Sequence, residues 1–227
     1  MQSFLEVLSS YSQYPIHILD KEISLEKYKP LDLSTTNKDL QSIHITNPSD
    51  CETYINSVLE KEQGQVAYGG YLEQRNLYAD KASFAVNPKE QRNIHLGIDY
   101  WCQAGIQVIV PLTGTIHSYK NNHSIGDYGP TILLEHEIQG NRFYTLYGHL
   151  SLESLNDLAV GQRFDAGMIL GRLGTADVNV NYAPHLHFQS MQDIKGYFGD
   201  YPGVCALKDL EYYKKNCPDP NILLKIV

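Results

Sequence analysis

QVIVPL (residues 107–112), GTIHSYK (114–120), TILLEHEI (131–138) and RFYTLYGHL (142–150) are the stretches whose reading decides the fold. QVIVPL is a short apolar run suited to a buried strand, and GTIHSYK, TILLEHEI and RFYTLYGHL follow it as further strands. Ile138-Gln139-Gly140-Asn141 supplies hairpin-turn chemistry between the last two. Downstream, GQRF (161–164), a turn at Asp165-Ala166-Gly167, MILGRLG (168–174) and HLHFQSM (185–191) continue the pattern. Strands this short and this closely spaced favour an antiparallel β-sheet or sandwich, so the expected fold is mainly β with a few short helices.

Outward from this centre the chain changes character. Residues 1–65 read as an N-terminal extension, and 66–227 as the main domain with its tail. HILDKEISLEKYKPLDL (17–33) and LQSIHIT (40–46) alternate apolar and polar residues as half-buried strands do. Asn47-Pro48-Ser49-Asp50 carries helix-start chemistry, Tyr54, Val58 and Leu59 recur at helical spacing, and Gly64 can end that helix. Beyond Gly196 the chain is rich in Pro, Gly and Tyr and reads as a packed tail with one short helix near Leu207–Lys214.

The 227 residues are 42% hydrophobic and 19% charged, a globular composition. A formal net charge of -8 argues against a nucleic-acid partner, because a phosphate backbone calls for a basic surface. No apolar stretch reaches the length of a membrane span. MQSFLEVLSSYSQYPIHILD lacks the basic, apolar and small-residue regions of a secretory leader, so a cytoplasmic location without a membrane partner is expected. Cys51, Cys102, Cys205 and Cys217 form no C-x-x-C pair and read as free thiols, although Cys205 and Cys217 are close enough in sequence to approach each other in the fold.

Three places concentrate chemistry. NIHLGIDYW holds His95 and Asp99 four apart, LYGHLS holds His149, and APHLHFQ holds His185 and His187. On a strand, His185 and His187 share one face and Leu186 and Phe188 the other, which a core would accept. His95 and Asp99 share a face if their segment is extended, and Gly97 between them leaves room for a metal or substrate. Two neutral imidazoles and a carboxylate suit zinc, and three protein ligands leave a fourth position open, as in catalytic sites. His17, His44, His117, His123 and His136 read as ordinary surface or core residues. Asn93, Tyr147 and Tyr182 are expected near the cleft from their closeness to the motifs.

HLGIDYW, YTLYGHLS and APHLHFQ together resemble the M23 metallopeptidases of the lysostaphin and LytM type, over roughly residues 66–195. The spacers AGIQVIVPLTGTI and LAVGQRFDAGMILGRLG share that grammar. The resemblance implies a LytM-type, duplicated-hybrid-motif-like β fold and a zinc-dependent peptidase or amidase. By resemblance His95, Asp99 and His187 hold the Zn2+, while His149 and His185 flank the water and the substrate carbonyl. One of these two would act as general base and the other as oxyanion donor or acid. The implied partner is a peptide or small amide, peptidoglycan fragments included.

Three departures stand out. GTADVNVNYAPHLHF (174–188) replaces the usual glycine-rich approach and is expected to reshape one wall of the cleft. Gln189 stands where an acidic residue is common. The tail GDYPGVCALKDLEYYKKNCPDPNIL, with GDYGPTILLEHE and RFYTLYGHLS, resembles a cytoplasmic subgroup found beside kinase-like phosphotransferase and class III aminotransferase domains. Two other readings compete: a non-catalytic LytM-like binding or regulatory module, and a phosphoryl carrier with facing histidines. Retention of both accessory histidines opposes the first, and Asp99 opposes the second.

Overall fold

The computed structural model describes residues 3–77, 90–124, 126–179 and 181–226. Its centre is an eight-stranded sheet in the order β1-β2-β4-β11-β8-β7-β6-β9. These strands are β1 (Tyr28–Pro30), β2 (Val66–Gly69), β4 (Ile98–Trp101), β6 (Gly114–Asn122), β7 (Gly129–Ile138), β8 (Asn141–Gly148), β9 (Arg163–Phe164) and β11 (His185–Met191). β3 (Arg92–His95) pairs with β12 (Val204–Ala206), and β5 (Gln107–Ile109) with β10 (Ile169–Arg172), in two small separate sheets. Every pairing is antiparallel except β1 with β2. The β7–β8 hairpin turns at Gln139 and Gly140, both at positive φ, where the turn signal lies.

β7 and β8 are buried on both faces, which explains their runs of Leu and Ile. Ile132, Leu134, Phe143 and Tyr147 face the main core together with Leu186 and Phe188 of β11. Leu133, Leu146 and Met191 face the opposite side and pack under Ile194, Tyr201 and Cys217 of the tail. Fully burying a side chain of this size contributes roughly 1.5–3 kcal/mol. The tail is therefore a structural cover over the sheet.

The first part of the chain is built into the same main core, whereas Leu31, Leu33, Ile45, Cys51 and Ile55 pack in a second cluster with Ala67, Trp101, Tyr182 and Val204. Helix α1 (Phe4–Ser10) inserts Phe4 and Leu8, and Ile18, Leu19 and Tyr28 join them. The chain end returns as α4 (Asn221–Leu224), with Leu223 and Leu224 in that core. Of the strands expected before residue 47, HILDKEISLEKYKPLDL supplies only the three residues of β1. LQSIHIT is not a strand: Lys38–Ser42 winds into a 3-10 turn because the Asn37 side chain caps the N–H of Asp39. The expected helix is α2 (Pro48–Glu62), capped by Asn47, whose Oδ1 accepts from Ser49 and Asp50. It stops at Gln63, which takes the left-handed conformation at φ 54°, one residue before the anticipated Gly64. The short tail helix is α3 (Leu210–Asn216), preceded by a 3-10 turn over Leu207–Asp209. All four cysteines are free.

Candidate functional site

His95, Asp99 and His187 meet at one buried point, but not by the route their spacing suggested. His95 ends β3 in one sheet and Asp99 sits in β4 of another, with the chain bending at Leu96-Gly97 between them. The bend, not a shared strand face, brings His95 Nε2 to 3.2 Å from Asp99 Oδ1. On β11, His187 lies opposite Asp99 on one side and Gly148 on the other. Its Nδ1 is 3.0 Å from Asp99 Oδ1 and 2.8 Å from His95 Nε2. Gly97 serves this packing: a Cβ there would lie 2.8 Å from His187 Cε1 and 2.6 Å from the Phe188 carbonyl. The His187 ring and the Phe188 carbonyl take up the space that it leaves.

The outer nitrogens of both rings are already engaged. His95 Nδ1 lies 3.0 Å from the Gly70 carbonyl and must donate to it. His187 Nε2 lies 3.0 Å from Gln189 Oε1, and the Gln189 amide nitrogen in turn donates to the Pro202 carbonyl and to Cys217 Sγ. With the outer nitrogens bonded in this way, His95 Nε2 and His187 Nδ1 are the ring atoms turned toward one another and toward Asp99 Oδ1. Two imidazole nitrogens and a carboxylate oxygen this close form a donor set that fits a divalent metal with nitrogen and oxygen ligands. Burial lowers the His95 pKa to about 4, with the Asp99 charge opposing, so the ring is neutral at pH 7. Burial alone would raise the Asp99 carboxyl; its electrostatic interactions with His95, Arg75 and His185 and its hydrogen bond with His187 outweigh that and hold it well below the usual range.

The two remaining motif histidines stand beside this point. His185 stacks on Trp101 with ring centroids 4.0 Å apart and contacts His149 at the same separation. Its Nδ1 donates to the Ala183 carbonyl at 2.8 Å, leaving Nε2 as the lone-pair nitrogen, 3.9 Å from Asp99 Oδ1. Burial brings its pKa to about 4. His149 holds φ 62°, a left-handed backbone uncommon for a non-glycine residue and often found where side chains are aimed for function. Its amide donates to the Tyr128 carbonyl and its own carbonyl accepts from Gly174. His149 Nδ1 is buried and has no hydrogen-bond partner among the described residues. Burial, then the neighbouring His185 and His187, press its pKa well below the ordinary value.

These five residues surround a cleft of about 250 Å3, of which His95, Asp99, His149, His185 and His187 all form part of the wall. Tyr182 lines it as expected, and its hydroxyl donates to the Gly126 carbonyl. Asn93 and Tyr147 do not line it: Asn93 is buried in β3, and the Tyr147 side chain points into the main core against Phe188. The other four-and-one histidines lie elsewhere. His44 and His123 are exposed, His17 and His117 half-buried, and His136 is bonded between the Thr113 carbonyl and Thr145 in the sheet core.

Sequence reading missed three contributors. Tyr128 packs its ring 5.1 Å from His187 and 5.8 Å from His149, and donates its hydroxyl to the Tyr201 carbonyl. The tail closes a wall through Tyr201, Gly203 and Val204, because β12 pairs Val204 with His95. Arg75, 1% exposed, donates from Nη1 to Asp99 Oδ2 at 2.5 Å. None of these carries a motif; the Gly69-Gly70 pair before Arg75 is the one local signal of close backbone approach.

Residues 93–197 match the model of peptidase family M23. Among solved structures, the catalytic domain of the antimicrobial peptidase lysostaphin from Staphylococcus simulans is 26% identical over 54% of this chain and 80% of its own, with a TM-score of 0.37. LytU is 24% identical over 58% of this chain and 79% of its own, at a TM-score of 0.37. A variant catalytic domain of the prophage-encoded M23 protein EnpA from Enterococcus faecalis is 20% identical over 61% and 85%, at a TM-score of 0.39. No curated protein matches the chain in sequence.

Proposed function

We propose, from the premise that residues 93–197 form an M23 peptidase domain, that this protein is a zinc-dependent hydrolase of peptide or amide bonds. One observation carries the reading: His95 Nε2, His187 Nδ1 and Asp99 Oδ1 converge within 3.2 Å while the outer nitrogens of both rings are held by other acceptors. When bound there, zinc supplies Lewis acidity for an attacking water and for the scissile carbonyl.

The chain's own residues supply the rest. His185 Nε2, fixed as the lone-pair nitrogen by the Ala183 bond, accepts the proton of the attacking water as general base. His149 donates toward the oxygen that gains charge in the tetrahedral intermediate, or to the departing amine. The burial of both rings keeps water from competing for these bonds. Soluble peptides, peptidoglycan fragments among them, are the substrate class.

Elemental analysis of metal in the wild type beside His187→Ala tests the site. One equivalent of zinc in the wild type and far less in the variant supports it; no bound metal in either overturns it. Stoichiometric zinc with no cleavage across a peptide and amide panel would favour a non-catalytic module instead.

A further inference from the structure

Asp99 has two oxygens, and the two face different partners. Oδ1 looks toward His95 Nε2 and His187 Nδ1, whereas Oδ2 accepts from Arg75 Nη1 at 2.5 Å. The Arg75 Nε donates to Glu73 Oε2, also at 2.5 Å, and Glu73 Oε1 accepts the backbone N–H of Leu33 at 3.1 Å. A continuous chain of bonds thus runs from residue 33 to the metal position. Its last two side chains, Glu73 and Arg75, lie outside the residues 93–197 that match the peptidase family.

The backbone around the clamp is built to hold it. The segment carrying Glu73 and Arg75 runs beside β3: Leu72 N–H donates to His95, His95 N–H to Glu73, and Arg75 N–H to Asn93. Gly70 at φ +103° turns its carbonyl onto His95 Nδ1, and a Cβ there would lie 1.9 Å from Arg75 Nη2. Only glycine lets one residue orient a ligand ring and admit the guanidinium together. Folding alone does not demand such an arrangement, since a buried ion pair commonly stabilises no better than apolar packing of equal volume.

We infer that Arg75, held by Glu73, is a positioning residue of the metal site that occupies Asp99 Oδ2 and so presents Oδ1 as a single-oxygen ligand. The inference rests on the metal-site reading above. It makes the segment from Gly70 to Arg75 an outer layer of the site and ties the site to the N-terminal sixty-odd residues through Leu33.

The test uses the full chain, stripped of metal and reloaded with Zn2+ or Co2+, as wild type, Arg75→Gln and Arg75→Lys. Zinc affinity is read by competition with a chromophoric chelator, ligand geometry by the visible absorption of the cobalt form, and folding of the apo-protein by circular dichroism. Arg75→Gln is expected to fold, bind zinc roughly 10- to 100-fold more weakly, and shift the cobalt bands. Arg75→Lys keeps the charge but cannot bridge both carboxylates, so its affinity recovers most of the loss while its cobalt bands remain shifted. An Arg75→Gln variant with wild-type affinity and cobalt spectrum overturns the inference. Should Arg75→Gln fail to fold, an Arg75→Lys spectrum identical to wild type overturns it. A wild type that binds neither metal overturns the metal-site reading itself, a result separate from any difference among variants.

Discussion

At the scale of single residues, the site depends on side chains whose freedom has been removed. His185 and His149 are expected to be separable from the ligands: alanine at either should lower kcat/KM by about 100- to 10,000-fold while the protein still holds its metal. Loss of metal together with activity would show that they are ligands instead. Gly97→Ala presses a methyl against the Phe188 carbonyl and the His187 ring, neither of which can retreat within β11. Overpacking of this kind costs about 1–3 kcal/mol, so the variant should melt earlier and hold less metal. An unchanged melting temperature would show that β11 yields. His136 gives a pH prediction away from the cleft. Burial lowers its pKa to about 4, with the Thr113 carbonyl opposing. The unfolded chain then binds more protons between about pH 4 and 6.5, so this part of the stability is complete above pH 6.5 and fades as pH falls toward 4. The loss between pH 7 and 4.5 is on the order of 2–3 kcal/mol. Urea unfolding of the wild type and His136→Gln at both pH values checks it, since the variant should show the smaller loss.

At the scale of elements, what could be read from sequence was what local chemistry decides. α2 was legible because Asn47 and Pro48 make a helix start that needs no tertiary context. Asn47→Ala should cost about 1 kcal/mol, measurable as a lowered denaturant midpoint; no change would mean the Ser49 and Asp50 amides find other acceptors. The β6–β7–β8 meander was legible because its turn and its apolar runs agree. LQSIHIT misled because alternation over seven residues does not distinguish a strand from a capped 3-10 turn. α1 gave no sign of itself in a reading tuned to strands, although Ser3 and Glu6 form a capping box. In the site, the five motif residues line one cleft, although His95 and Asp99 come together through the bend at Leu96-Gly97 and not on one strand face. Arg75, Tyr128 and Tyr201 were invisible because only long-range pairing brings them there.

At the scale of the whole molecule, the two ends of the chain close on each other. Ile16 N–H donates to the Leu224 carbonyl at 2.8 Å, and Lys225 Nζ donates to the carbonyls of Ser9 and Ser12. Phe4 and Leu8 share one core with Leu223 and Leu224, and Leu33, Ile45 and Ile55 share a second with Trp101, Tyr182 and Val204. Thermal unfolding followed by far-ultraviolet and near-ultraviolet signals should therefore show one coincident transition. Two separated transitions would show that the first sixty-five residues form an independent unit.

The edge strand β1 has a further consequence. It ends the large sheet on one side with Tyr28-Lys29-Pro30, and β9 ends it on the other with only two residues. Pro30 has no N–H to offer, Lys29 would carry a charge into any added strand, and a two-residue rim gives a newcomer little to zip onto. Both rims of the large sheet thus disfavour the addition of a further strand.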